Sequence, residues 1–171
     1  MIRKALSSDI PSLVALDHAS YGDFGANEEY FRQKISSPNA KIVVTETDKK
    51  ITGFVIFEVM EPSQPLQDFS DLYIATPIKE GWMHIIAFTT TSNFKNVQED
   101  TILLQAAENE AIKRGCTTFC VPLSIDHPYR TNDVFGFWEK NGYHNSGTIT
   151  WIASSTETIG CYFFSKPANN S

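Results

Sequence analysis

The stretch from Trp82 to Leu123 constrains this fold more than any other part of the chain. Trp82 to Thr91 is a run of aromatic, β-branched and hydroxyl residues that reads as a strand. After a polar connector, Thr101 to Arg114 repeats apolar residues at Ile102, Leu103, Ala106, Ala107 and Ile112. That spacing predicts a helix, with Gly115 where a left-handed C-terminal cap belongs. Cys116 to Leu123 returns as a second strand ended near Pro122. Strand, helix and strand in about 42 residues make a crossover connection, which sets the two strands parallel.

The rest of the chain adds elements on both sides. Residues 2–6 form a short strand closed by Ser7-Ser8-Asp9, and Ser8 or Asp9 is positioned to cap a helix with Pro11 in its first turn. Tyr21-Gly22-Asp23-Phe24-Gly25 is a loop. Asn27 caps a second helix carrying Tyr30, Phe31, Lys34 and Ile35 on one stripe. Lys41–Glu46 and Ile51–Met60 are strands of a hairpin turned by Thr47-Asp48-Lys49-Lys50. Residues 61–80, with Pro62, Pro65 and Pro77, read as a loop of the kind that shapes binding sites. Thr131–Asn141 is a further short helix stopped by Gly142, and strands at Thr148–Ala153 and Gly160–Ser165 close the chain. The order is that of a mixed α/β (α+β) fold in a single domain spanning 1–171.

Composition excludes several function classes. The chain has 171 residues, 42% of them hydrophobic, which suits one globular domain. Its net charge of −6 and lack of Lys/Arg clusters exclude a nucleic-acid binder and a ligand of anionic membranes. No apolar run approaches the roughly 20 residues of a membrane span, and Met1–Ser7 lacks a signal-peptide core. Cys116, Cys120 and Cys161 are an odd set without metal-ligand spacing, which points to reduced thiols, a cytoplasmic location and no metal. No Gly-x-Ser-x-Gly elbow, Walker loop or dinucleotide glycine motif is present. Asp126-His127-Pro128-Tyr129 reads as a loop rather than an acid–base pair.

Three segments carry a resemblance to the GCN5-related N-acetyltransferase (GNAT) family, over about residues 2–166. Thr45 to Phe54 looks like the family's hairpin, with an acidic turn before an apolar-x-Gly-aromatic strand. Phe94-Lys95-Asn96 through Gly115 follows its long cofactor-binding helix. Phe137-Trp138-Glu139-Lys140-Asn141-Gly142-Tyr143 is similar to its "Phe-Tyr-Glu-Lys-x-Gly-Phe" helix end. The resemblance implies a mixed, mostly antiparallel sheet of about 6–7 strands with one parallel splayed pair, flanked by about 4 helices. It also implies acetyl-CoA as acyl donor, with its pyrophosphate on backbone N–H groups at a helix start.

The resemblance assigns roles residue by residue. Phe88, Thr89 and Thr90 on the strand, and Lys95, Asn96, Val97, Gln98, Asp100 and Thr101 at the helix start, match the cofactor-binding stretch. The family loop there reads Arg/Gln-x-x-Gly-x-Gly/Ala. Here Gln98 and Asp100 replace both glycines, and Asp100 as an N-cap would take the donors a pyrophosphate needs. Two like charges about 5 Å apart repel by roughly 3 kcal/mol at an effective dielectric of about 20. His84 falls where many relatives carry a glutamate base, and a histidine suits proton removal near neutral pH. It reads also, and more simply, as a core or interface histidine hydrogen-bonded to backbone. Trp138 stands at the tyrosine that protonates the leaving thiolate in relatives, a task that indole cannot perform. Asn132 lies near the family's helix-start asparagine.

Two functions follow from that resemblance. The first is N-acyltransfer from acyl-CoA to a primary amine, small-molecule or peptide, bound between residues 21–31 and the 61–80 loop, with a homodimer allowed. The alternative is a non-catalytic ligand- or protein-binding domain on the same fold.

Overall fold

The computed structural model describes residues 1–60, 81–152 and 155–168. The 61–80 loop of the sequence reading lies outside the described residues. The order is β1 (Ile2–Lys4), α1 (Ile10–Tyr21), α2 (Glu28–Ser36), β2 (Ala40–Thr47), β3 (Lys50–Met60), β4 (Trp82–Thr90), α3 (Val97–Lys113), β5 (Thr118–Ser124), α4 (Val134–Lys140), β6 (His144–Ile152) and β7 (Thr158–Pro167). Seven strands form a mixed sheet in the order β1-β2-β3-β4-β5-β7-β6. The crossover puts β4 parallel to β5, as expected, with Trp82 opposite Thr118, Met83 opposite Phe119 and His84 opposite Cys120. The pairs β1–β2, β2–β3, β5–β7 and β6–β7 are antiparallel.

The chain groups into two compact units. The first comprises Met1–Glu58 and Ile85–Glu110. Its core is built by period: Ile10, Leu13 and Leu16 fall three apart on α1, Ile42 and Val44 share a face of β2, and Phe54 and Ile56 share a face of β3. Phe31 of α2 sets its ring edge-on to Phe54 at 5.4 Å between centroids. Asp48 and Lys49 both take left-handed φ values, 50° and 62°, which makes the β2–β3 turn the two-residue kind whose twist matches a hairpin. Asn27 caps α2 as expected, accepting from Tyr30 N at 2.9 Å. Asp9 does not cap α1 through its side chain. Its carboxylate instead accepts Leu6 N at 2.7 Å and a two-pronged bond from Arg3 at 2.7 and 3.0 Å. Arg3 turns its remaining edge to Glu46 Oε2 at 2.7 and 2.9 Å.

The second unit comprises Val59–His84 and Ala111–Ser171. Trp82, Cys120, Ile149, Cys161 and Phe163 form its buried cluster. α3 ends in this unit as its glycine predicts: Gly115 (φ 86°) donates to Ile112 O and Cys116 to Ala111 O. Pro122 lies inside β5 rather than at its end. Ile125 N donates to Gly160 O beside β7. By alternation Val121 and Leu123 address β7, so the absent N–H of Pro122 falls on the opposite edge. Pro122 therefore gives that edge no donor beyond the last described β4–β5 pair, His84 with Cys120. β6 and β7 extend past their expected ends, and a register shift between Asn145 and Thr148, with Gly147 at φ 130°, absorbs the extra residues.

Candidate functional site

A cluster of polar groups lies in the first unit, where β4 turns into α3. Asn93 and Phe94 both adopt left-handed φ values, 48° and 68°, and Lys95 N donates to Ser92 O at 3.1 Å. An aromatic residue in that region is strained. Burial of the Phe94 ring, stacked on Phe88 at 5.8 Å, holds it there. α3 begins at Val97, four residues before the start expected from its apolar spacing. Asn96, not Asp100, is the capping residue: its carbonyl accepts Asp100 N at 3.1 Å and its Oδ1 accepts Glu99 N at 3.4 Å. Val97, Gln98, Glu99 and Asp100 thus form the first helical turn, and the N–H groups of Val97 and Gln98 fall outside the helical ladder.

Asp100 folds its side chain back into that turn. The residue is 2% exposed, and Ser92 Oγ donates to Asp100 Oδ2 at 2.6 Å. Thr90 Oγ1 lies 3.2 Å from Ser92 Oγ, and both the Thr90 hydroxyl and the Phe94 N–H also bond the carboxylate. Burial pushes the Asp100 carboxyl above the ordinary carboxylate range, these donors pull it back, and neighbouring Glu99 adds to the rise. Thr52, Thr90, Ser92, Glu99 and Asp100 line a shallow cleft here. Gly53 lets the strands approach it, because a Cβ there would lie 3.0 Å from Thr90 Cγ2 and 3.1 Å from Leu103 Cδ2.

One edge of β4 is also organised within this unit. Thr91 N donates to Thr52 O at 2.8 Å, so odd residues address β3 and the backbone groups of Ile86, Phe88 and Thr90 address the opposite edge. Tyr21 Oη donates to Phe88 O at 3.3 Å, and Asn93 N donates to Thr90 O at 3.2 Å. Thr89 points the other way. Its hydroxyl donates to Asp17 Oδ1 at 2.9 Å, and Asp17 Oδ2 accepts Ala26 N at 2.8 Å. Asp17, 8% exposed, thereby ties the connector after α1 to β4. Sequence reading missed Asp17 and put Tyr21 in a loop, whereas Tyr21 is the last residue of α1. Asp17 follows Leu16 within an apolar helix stripe, and that polar residue beside a buried position was the only signal.

The structure brings Phe88, Thr89, Thr90, Lys95, Asn96, Val97, Gln98, Asp100 and Thr101 into the first unit. The other three named residues belong to the second. His84 is 6% exposed, and its ring stacks on Trp82 at 6.4 Å between centroids. Trp138, on α4, is fully buried and meets Tyr143 edge-on at 5.0 Å and Phe137 at 5.4 Å. Asn132 ends a short 3-10 turn, and Asp133 is the residue that caps α4, through Gly136 N at 3.2 Å. His127 is a loop residue, as expected: its Nδ1 accepts Tyr129 N at 3.1 Å, and burial lowers its pKa to about 4.

No protein-family model matches the chain, and no curated protein matches it in sequence. Solved structures do match. An acetyltransferase of the GNAT family from Streptococcus pneumoniae has a TM-score of 0.64 at 18% identity, over 99% of each chain. Ribosomal-protein-alanine N-acetyltransferase from Brucella melitensis has a TM-score of 0.69 at 15% identity, over 98% of this chain and 99% of that one. NAA60 of Arabidopsis thaliana, in complex with acetyl-CoA, has a TM-score of 0.73 at 11% identity, over 99% of this chain and 98% of that one. The chain has the GNAT fold.

Proposed function

We propose that this chain, a GNAT fold, is an N-acyltransferase that moves an acetyl or other small acyl group from a CoA thioester to a primary amine. The observation that carries the reading is the likeness over nearly the whole chain to solved acetyltransferases and to an acetyl-CoA complex. It is support by analogy of fold, and function rests on the site. The edge of β4 addressed by Ile86, Phe88 and Thr90 is the proposed seat of the amide arm of acetyl-CoA, although Tyr21 already bonds Phe88 O and Asn93 N bonds Thr90 O. At the start of α3 Asp100 holds the Ser92 and Thr90 hydroxyls and the Phe94 N–H, three donors for which a pyrophosphate would compete, while the Val97 and Gln98 N–H groups lie outside the helical ladder.

His84 is the proposed base that takes a proton from the acceptor ammonium. Trp138 cannot supply a proton to a thiolate. Tyr21, held at Phe88 O, would help to shape the wall against which donor and acceptor are positioned. Calorimetric titration with acetyl-CoA, followed by an amine screen for released CoA thiol, tests the reading. Micromolar binding and amine-dependent release support it; no binding and no release defeat it. His84→Ala is expected to lower kcat/KM about 100-fold and to flatten the acidic limb of the pH–rate profile. An unchanged rate and profile would remove His84 from the reaction.

A second reading, a non-catalytic domain on the same fold, is favoured by one observation. The chain's own Asp100 carboxylate holds three donors beside the start of α3.

A further inference from the structure

We infer that Asp100 is an internal occupant of the phosphate position of this fold, so that a CoA ligand must displace it to bind. The inference rests on the acyl-CoA reading above, with the pyrophosphate at the start of α3 as the family resemblance implies. The argument is one of shared donors. Ser92 Oγ has a single proton and gives it to Asp100 Oδ2 at 2.6 Å. The Thr90 hydroxyl and the Phe94 N–H also address the same carboxylate. A phosphate oxygen cannot use these donors while Asp100 does. Its two negative charges would also meet the Asp100 and Glu99 carboxylates in one turn, and Glu99 is the other titratable group acting on Asp100.

The position is built rather than incidental. Two left-handed residues, Asn93 and Phe94, aim the Phe94 N–H inward, and Phe94 is itself only 6% exposed. The carboxylate it serves is also buried, whereas an acidic residue in a helix's first turn ordinarily sits in solvent and interacts with the helix dipole. The three donors offset part of the desolvation of Asp100, and the residual penalty appears as its raised carboxyl pKa. An anionic ligand bringing its own hydrogen-bond acceptors would satisfy the same groups once Asp100 rotated toward water.

Calorimetric titration of the full chain with CoA, and separately with S-acetylpantetheine, reads the effect. S-acetylpantetheine carries the amide arm without the pyrophosphate. Wild type is compared with Asp100→Asn, which removes the charge at constant shape, and Asp100→Ala, which empties the position. Both variants are expected to bind CoA at least about tenfold tighter than wild type, with S-acetylpantetheine affinity the same in all three. CoA affinity equal in all three overturns the inference and leaves the acyl-CoA reading in place. Equal gains for both probes also overturn it, because the change then lies away from the phosphates. Failure of every form to bind either probe overturns both. Thermal midpoints without ligand establish that each variant folds, and Asp100→Asn serves alone if the alanine variant does not.

Discussion

Trp138→Ala is expected to lower stability by about 3–5 kcal/mol, the cost of deleting a fully buried aromatic side chain. The indole is wholly enclosed and packs edge-on against Tyr143 and Phe137. Its removal forfeits those ring contacts and leaves a cavity that a short helix of Val134–Lys140 can only partly close. Trp138→Tyr restores the residue type of the family resemblance. It is expected to cost about 1–3 kcal/mol, because a smaller ring fills the space less well and brings a hydroxyl that needs a partner. Denaturant midpoints for the two variants check both figures. A loss below about 1 kcal/mol for alanine would show that the indole does not support the second unit's core. A gain in acyltransfer for the tyrosine variant, despite lower stability, would show that position 138 faces the reacting atoms.

Arg3→Met is expected to cost about 2–3 kcal/mol and to weaken the acid sensitivity of the fold. Arg3 bonds Asp9 through two nitrogens and Glu46 through two, and the three side chains are 26%, 11% and 18% exposed. Partial burial places the figure below that of a fully enclosed ion triad and above that of a surface pair. Removing the guanidinium leaves two carboxylates sharing one partly dry space. Hydrogen bonds from Arg3 are the largest influence holding the Asp9 carboxyl below its ordinary value, with the Leu6 N–H acting the same way and burial opposing them. A carboxyl depressed in the folded state stabilises above its unfolded pKa, near 3.9, and that stability fades as pH falls toward the folded value. Wild-type stability should therefore fall steeply below about pH 4, and the methionine variant should fall less over the same interval. Midpoints at pH 7 and pH 3 check this. Parallel losses in the two proteins would mean that Asp9 does not titrate through Arg3.

The crossover was legible because its periods change at identifiable residues. Apolar spacing at Leu103 and Ala107, a terminal Gly115 and the β-branched runs on either side leave one arrangement for strand, helix and strand. The Asn27 cap and the Asp48-Lys49 turn were legible for a similar reason, each depending on neighbours a few residues away. The beginning of α3 was not. Its first turn carries Gln98, Glu99 and Asp100, so apolar periodicity has nothing to count until Ile102. The helix starts at Val97 because Asn96 accepts at both its carbonyl and its side chain, a geometric fact that spacing does not express. Pro122 misled in the opposite sense. Proline ends a strand only where an N–H is required, and β5 has no described partner pair at that edge beyond Cys120. Asp17 was hidden because its partners, Thr89 and Ala26, lie 72 and nine residues away. Asp100 was read as the N-cap, but it is fourth in the helix and reaches back to Ser92.

The cysteines of the second unit make the protein its own stopwatch. Cys116, Cys120 and Cys161 are buried thiols in no disulfide. Burial pushes the Cys120 thiol up, with Cys116 adding to it, and pushes Cys161 up to about 11. Cys120 Sγ also donates to Met83 O at 3.4 Å. A thiol reagent at neutral pH meets no accessible sulfur until this unit opens, and at Cys120 and Cys161 the raised thiol also withholds the thiolate. Labelling velocity in native buffer is accordingly a direct count of opening events. Mass that arrives all at once, as a triple adduct, would mean the unit opens as a whole. Stepwise mass would mean that one strand frays before the others.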